Sequence, residues 1–175
     1  MPITQTAPPA GVGSPIIRFL DTNGNGTGTK NAIGDYSVTP VTFFILPPAG
    51  RVYVITQFII QVSDAGGFGQ AVYASLATAL TNGLLIAAYR GSTQILDLTD
   101  GIPVQWNDQF WHLSPRTELV AFAGGVNSLI CTFDANDFGT PFSLNGSQGD
   151  KLQVTCRDNF TALVDQTFIV HGYYL

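Results

Sequence analysis

The chain is short of charge. Of its 175 residues only 11% are Asp, Glu, Lys or Arg, against about a quarter in an ordinary globular protein. Lysine occurs only at Lys30 and Lys151, glutamate only at Glu118, and the remaining 11 carboxylates are aspartates. Seven Lys and Arg, a formal charge of −5 and a pI near 4.6 exclude a protein that holds nucleic acid by neutralising phosphates. Scarce Glu and Lys, beside 19 Gly and 10 Pro, leave few residues suited to exposed helix surfaces. Apolar residues are not scarce. They make up 45% of the chain, which excludes a disordered polyelectrolyte.

Long hydrophobic runs are missing as well. No stretch reaches 18 apolar residues, and 52–62 is interrupted by Thr56, Gln57 and Gln61, so no membrane span is expected. The opening MPITQTAPPAGVGSP has neither a basic n-region nor an apolar h-region, so no export signal is expected. Its four prolines and lack of periodicity read as a flexible N-terminal arm over 1–15, before a single domain over 16–175. Such an arm either frays or orders on a neighbouring subunit. Cysteine is limited to Cys131 and Cys156, with no CxxC pair. Both lie in alternating apolar runs and are expected to be unlinked core residues in a reducing compartment. Two cysteines and two distant histidines are too few for a soft-metal site.

What the sequence does have is period two. In 51–63, RVYVITQFIIQVS, even-numbered Val52, Val54, Thr56, Phe58, Ile60 and Val62 share one face. Tyr53, Ile55, Gln57, Ile59 and Gln61 share the other. Pro47-Pro48-Ala49-Gly50 marks a turn before this strand, and 41–46 (VTFFIL) reads as its hairpin partner. Residues 84–90 and 93–98 flank Gly91-Ser92, a hairpin signature. Further strands are expected over 110–113, 118–122, 129–133, 152–157 and 167–174, separated by Gly, Asn and Asp clusters. Only 69–80 (GQAVYASLATAL) departs from this, as a short helix or a crossing loop. The expected fold is all-β, an antiparallel β-sandwich, jelly-roll-like, with at most one short helix.

Candidate chemistry is sparse. Asp21, Asn23 and Asn25, in DTNGNG, match the first half of a calcium loop, with oxygens at alternate positions and a turn glycine at the sixth. The match then fails, because position twelve is Ala32 rather than a bidentate Glu, so this is a weak candidate and no metal is expected. His112 and His171 sit in strand-like runs without a partner constellation. The other aspartates mark turns, where Asp bonds the local backbone, and no glycosidase pair is picked out. There is no GxGxxG, P-loop or GxSxG, so no cofactor and no catalytic residues are expected.

Three stretches carry a family resemblance: DTNGNGTGTKNAIGDYS (21–37), PPAGRVYVITQFIIQVSD (47–64) and LNGSQGDKLQVTCRDNFTALVDQTFIVHGYY (144–174), supported by LDLTDGIPV (96–104). In these the chain resembles small virion structural proteins of tailed bacteriophages. The resemblance implies a β-sandwich in a capsid decoration or cement, head-fibre or neck-associated role. It transfers no functional residues. It implies a virion location with assembly in the host cytoplasm. The favoured expectation is a non-enzymatic decoration protein that binds the head shell as a homo-oligomer, a trimer above all. Its partners would be itself and the major capsid protein or other virion proteins, with no nucleic acid and no membrane. The alternative is a neck, tail or fibre-associated protein that binds other virion proteins or a host glycan. A mean hydropathy of +0.23 with few charges makes a poor surface for a free monomer. Tyr53, Ile55, Ile59 and Ile95 are the candidate interface residues.

Overall fold

The alternating run 51–63 becomes the longest strand of the molecule, and the larger of two sheets is built around it. A computed structural model describes residues 13–65, 73–74, 76–99, 116–121, 125–134 and 141–175. Ten strands follow in chain order: β1 (Ser14–Phe19), β2 (Val41–Ile45), β3 (Val52–Asp64), β4 (Leu85–Arg90), β5 (Thr93–Asp97), β6 (Arg116–Ala121), β7 (Asn127–Asp134), β8 (Phe142–Asn145), β9 (Asp150–Cys156) and β10 (Asp165–Tyr174). One sheet has the order β1-β10-β3-β7-β6, with β8 beside the first half of β3. The other is β2-β9-β4-β5. Every pairing between named strands is antiparallel.

The two sheets pack face to face. Phe58, Ile60, Phe133 and Phe168 from the larger sheet meet Phe43, Ile86, Leu152 and Val154 from the smaller in one buried cluster. Phe43 and Phe168 touch across the sandwich with ring centroids 6.0 Å apart. The fold is therefore the expected all-β antiparallel sandwich. Among the described residues the only helical turn is a 3₁₀ turn at Gly146–Gln148.

The long strand does not keep one alternation from end to end. Gln57 pairs with His171 and Ile55 with Gly172, which leaves Thr56 as the extra residue of a β-bulge. Its hydroxyl donates to the His171 carbonyl at 3.3 Å. One inserted residue exchanges the faces of everything beyond it. After the bulge Phe58, Ile60 and Val62 point into the core, and before it Tyr53 and Ile55 do. The single-face reading of 51–63 is corrected accordingly.

Other expectations change too. β2 is not the hairpin partner of β3: it pairs with β9, and 46–51 carries the chain from one sheet to the other. Two consecutive prolines suit such a crossing, since neither has an N–H for a ladder. Two strands went unread: β8, only four residues long, and β1, which starts inside the expected arm. Ser14 and Pro15 pair with Tyr174 and Tyr173, so these two residues belong to the sheet rather than to an arm. The β4–β5 hairpin forms as read. The proposed helix over 69–80 lies partly outside the described residues; of it, Tyr73, Ala74 and 76–80 are irregular, and Tyr73, Leu76 and Leu80 fill the core. The expected strand 110–113, with His112, lies outside the described residues.

The bulge requires glycine on the partner strand. A Cβ on Gly172 would stand 1.9 Å from the Val54 carbonyl oxygen and 3.2 Å from the Ile55 Cα. Gly172→Ala is therefore expected to destabilise the fold by about 1–3 kcal/mol, the usual cost of forcing atoms into a packed site. Urea unfolding measures it, and an unchanged midpoint would mean that the β3 backbone gives way freely.

Candidate interaction surface

The candidate calcium loop holds its own hydrogen bonds rather than a cradle for a cation. Asp21 is fully buried. Its Oδ1 accepts backbone N–H groups from Asn23 at 2.7 Å, Gly24 at 2.8 Å and Gly28 at 3.3 Å, and its Oδ2 accepts from Gly26. Asn25 Oδ1 turns the other way, to the Thr27 amide at 3.0 Å and hydroxyl at 2.6 Å. Asn23 donates to the Thr27 hydroxyl at 3.2 Å. The groups that converge on Asp21 are thus amide hydrogens, whose positive ends repel a metal ion. Asp158 plays the same part elsewhere: it accepts from the amides of Thr81, Asn82 and Gly83 at 2.9, 3.0 and 2.8 Å. Among the described residues no three His, Cys, Asp or Glu side chains gather as metal ligands.

Hydrogen bonds to a charged group contribute about 1.5–3 kcal/mol, and orphaned donors add a desolvation cost. Asp21→Ala should therefore lower stability by at least about 2 kcal/mol, measured by urea unfolding. Millimolar calcium should leave the melting temperature of the native protein unchanged. A calcium-dependent rise that Asp21→Ala abolishes would show that the loop rearranges to bind the ion.

Other titratable groups are also engaged internally. Asp150 is buried and accepts two bonds from Arg90, at 2.8 and 3.2 Å, and one from the Asn145 amide at 3.1 Å. The Arg90 hydrogen bonds hold its pKa below the usual value, against the opposing effect of burial. A carboxylate with a lowered folded pKa stabilises above its unfolded pKa, and that contribution disappears as pH falls through the folded value. Burial raises Asp165 and gives it the opposite sign. Asp150→Asn should therefore destabilise at pH 7 and flatten the stability loss below about pH 4. A pH series of urea midpoints tests this, and parallel curves for variant and wild type would refute it. Burial pushes the Cys131 thiol up to about 11 and Cys156 further. Both are free and buried, and neither is a thiolate nucleophile at neutral pH.

The outer face of the larger sheet is different. Strand pairing sets Ile59 beside Ile169, and Ile169 beside Phe19. In the neighbouring row Ile17 stands beside His171. Phe19 and Ile17 are 42% and 61% exposed. The result is an apolar row across β1, β10 and β3 with no charged residue in it. Polar groups frame it: Gln57 donates to Asp134 at 2.7 Å, and Arg116 pairs with the same carboxylate. The outer face of the smaller sheet is more polar, with Lys151 5.5 Å from the Phe44 and Tyr89 rings and Gln153 and Thr155 on the same strand.

The adjoining edge is guarded although the face is not. The Leu20 amide reaches the Phe168 carbonyl at 2.8 Å, so alternate residues Ile17 and Phe19 turn their backbone polar groups outward. Pro15 falls in the same outward set and has no N–H, and the Arg18 guanidinium covers the Ile17 carbonyl at 3.0 Å. Proline and a capping charge blunt an edge strand against pairing with another chain.

Of the four candidate interface residues, Ile59 belongs to this row. Ile55 does not: it is 1% exposed, turned inward by the bulge. Tyr53 packs partly against the core for the same reason. Ile95 is exposed, but on the edge strand β5 of the other sheet. Sequence reasoning missed Ile17, Phe19 and Ile169. The spacing of Pro15, Ile17 and Phe19 was a signal, concealed by the proline-rich residues before it. No family model, no curated protein and no solved structure matches the chain.

Proposed function

We propose that the protein is a non-enzymatic structural component of a tailed-bacteriophage virion, a capsid decoration or cement protein that binds the head shell as a homo-oligomer, with a trimer favoured. The observation that carries this reading is the apolar row of Phe19, Ile169 and Ile59 beside a blunted edge. A face left apolar while the neighbouring edge is protected suits a partner that stacks on the sheet rather than extends it. Low charge supports the same reading, because few groups would need desolvation on contact. The phage-like stretches include Ile59 and Ile169, and also the Asp21 loop that braces β2.

Magnitudes limit what the row does alone. Full burial of a large apolar side chain contributes about 1.5–3 kcal/mol. The three residues of the row with Ile17 beside it, partly covered, give several kcal/mol, against about 4–15 kcal/mol of lost rigid-body freedom on association. Assembly therefore draws on repeated contacts around a symmetric ring and on a second contact region.

Light scattering across a hundredfold dilution tests the assembly. The wild-type protein should remain an oligomer, and Ile59→Asp should release monomers with the melting transition retained. A wild-type protein that is monomeric at every concentration would overturn self-assembly. Electron microscopy of gold-labelled protein on particles tests the location, and label confined to tails would replace the head assignment.

A further inference from the structure

We infer that the groove between β1 and β2 receives the proline-rich segment 1–12 of a second copy of the chain. The inference rests on the self-assembly reading above and names its second contact region. The groove has a volume of about 510 Å³ and lies between the C-terminal ends of β1 and β2, walled by the 46–49 crossing and the Asp21 loop. Phe19, Leu46, Pro47, Pro48 and Tyr53 line it, with Gly24 and Gly26 of the Asp21 loop on one wall. Among the described residues Arg18 is the only charged one that lines it.

Both strands beside the groove are closed to ladder pairing. The β1 edge is blunted by Pro15 and Arg18. The outer side of β2 is occupied, because the Phe44 amide donates to Asp21 at 2.9 Å and the Leu46 amide to Gly24 at 2.9 Å. An occupant must therefore bind through side chains and ring faces, as a polyproline segment does in a groove of aromatics and prolines. The chain carries such a segment. Residues 1–12 read MPITQTAPPAGV, with prolines at 2, 8 and 9 and no charged side chain. Proline has a fixed φ, so a segment with three prolines loses less freedom on docking than one without them. Twelve residues in polyproline form would reach about 37 Å at about 3.1 Å per residue.

Direction favours the neighbour's segment. β1 runs from Ser14 toward Arg18 and Phe19 in the groove, so the chain before Gly13 leaves from the opposite end of the strand. There Gly13 is packed so closely that a Cβ would stand 2.3 Å from the Tyr173 ring and 2.6 Å from the Tyr174 carbonyl. Occupation by the chain's own segment would need a reversal at this crowded point.

The test uses full-length chains with single added cysteines. Ala10→Cys and Leu46→Cys are prepared separately and mixed under mild oxidation, and the buried Cys131 and Cys156 do not compete. The expected product is a disulfide-linked heterodimer, formed in excess over the homodimers of either variant alone. Ala7→Cys replaces Ala10→Cys in a parallel mixture to allow for register. Leu46→Asp should weaken association about tenfold at an unchanged melting temperature. No heterodimer from either mixture, or only an intrachain disulfide when both cysteines are placed in one chain, would overturn the inference. An oligomer that persists without the cross-link removes this contact but leaves the assembly reading intact. A wild-type monomer at every concentration removes the assembly reading itself.

Discussion

The pairing of β3 with β10 at the bulge is the constraint on which the rest of the larger sheet depends. Thr56 is left without a residue opposite it on β10, and Gly172 lies against the Val54 carbonyl with no room for a side chain. This one offset puts Tyr53 and Ile55 on the core side together with Phe58, Ile60 and Val62. It also puts Ile59 on the outside beside Ile169, where the apolar row begins. Had the ladder run without the extra residue, half of β3 would have turned its aliphatics to the wrong side.

Several aspartates serve the interior rather than the surface. Asp21, Asp64, Asp150 and Asp158 are all buried. Asp21 and Asp158 each gather backbone amides of a loop that has no ladder of its own, and Asp150 joins the Arg90 side chain to the β8 end. A carboxylate that accepts several amides satisfies many buried donors with one side chain. Loops beside the strands are held this way, while Asp35, Asp97, Glu118, Asp134 and Asp165 stay exposed or half-buried. Among the described residues, exposed aliphatics also stand singly elsewhere, as at Val38, Ile95 and Leu119, but on β1, β10 and β3 strand pairing sets them side by side.

That distribution bears on assembly. The β1 edge carries a proline and an arginine cap, and the β2 edge is filled by the Asp21 loop, so chain-to-chain strand addition is disfavoured on this side of the sandwich. Contacts through a sheet face and through a groove remain. Neither of these contacts would extend the hydrogen-bonded sheet.

Much of the fold was legible because strands with one buried face announce themselves by alternation. β3, β4, β5, β7, β9 and β10 were read close to their observed limits, and Gly91-Ser92 marked its hairpin. β1 and β8 were not legible: six residues after a proline-rich lead and four beside a turn hold too few repeats to show a period. DTNGNG, the first half of a calcium loop, made a weak calcium candidate, since alternate oxygens look the same in sequence whether they meet a cation or amides. By itself the sequence determined an all-β, weakly charged chain with its cysteines inside, because composition and local period are properties of neighbouring residues. Which sheet β2 joins, which face of β3 turns inward and which aliphatics share the exposed row depend on partners more than a hundred residues away. Only the tertiary structure decided those, since a one-residue bulge leaves no mark on hydrophobic alternation yet reverses every side chain beyond it.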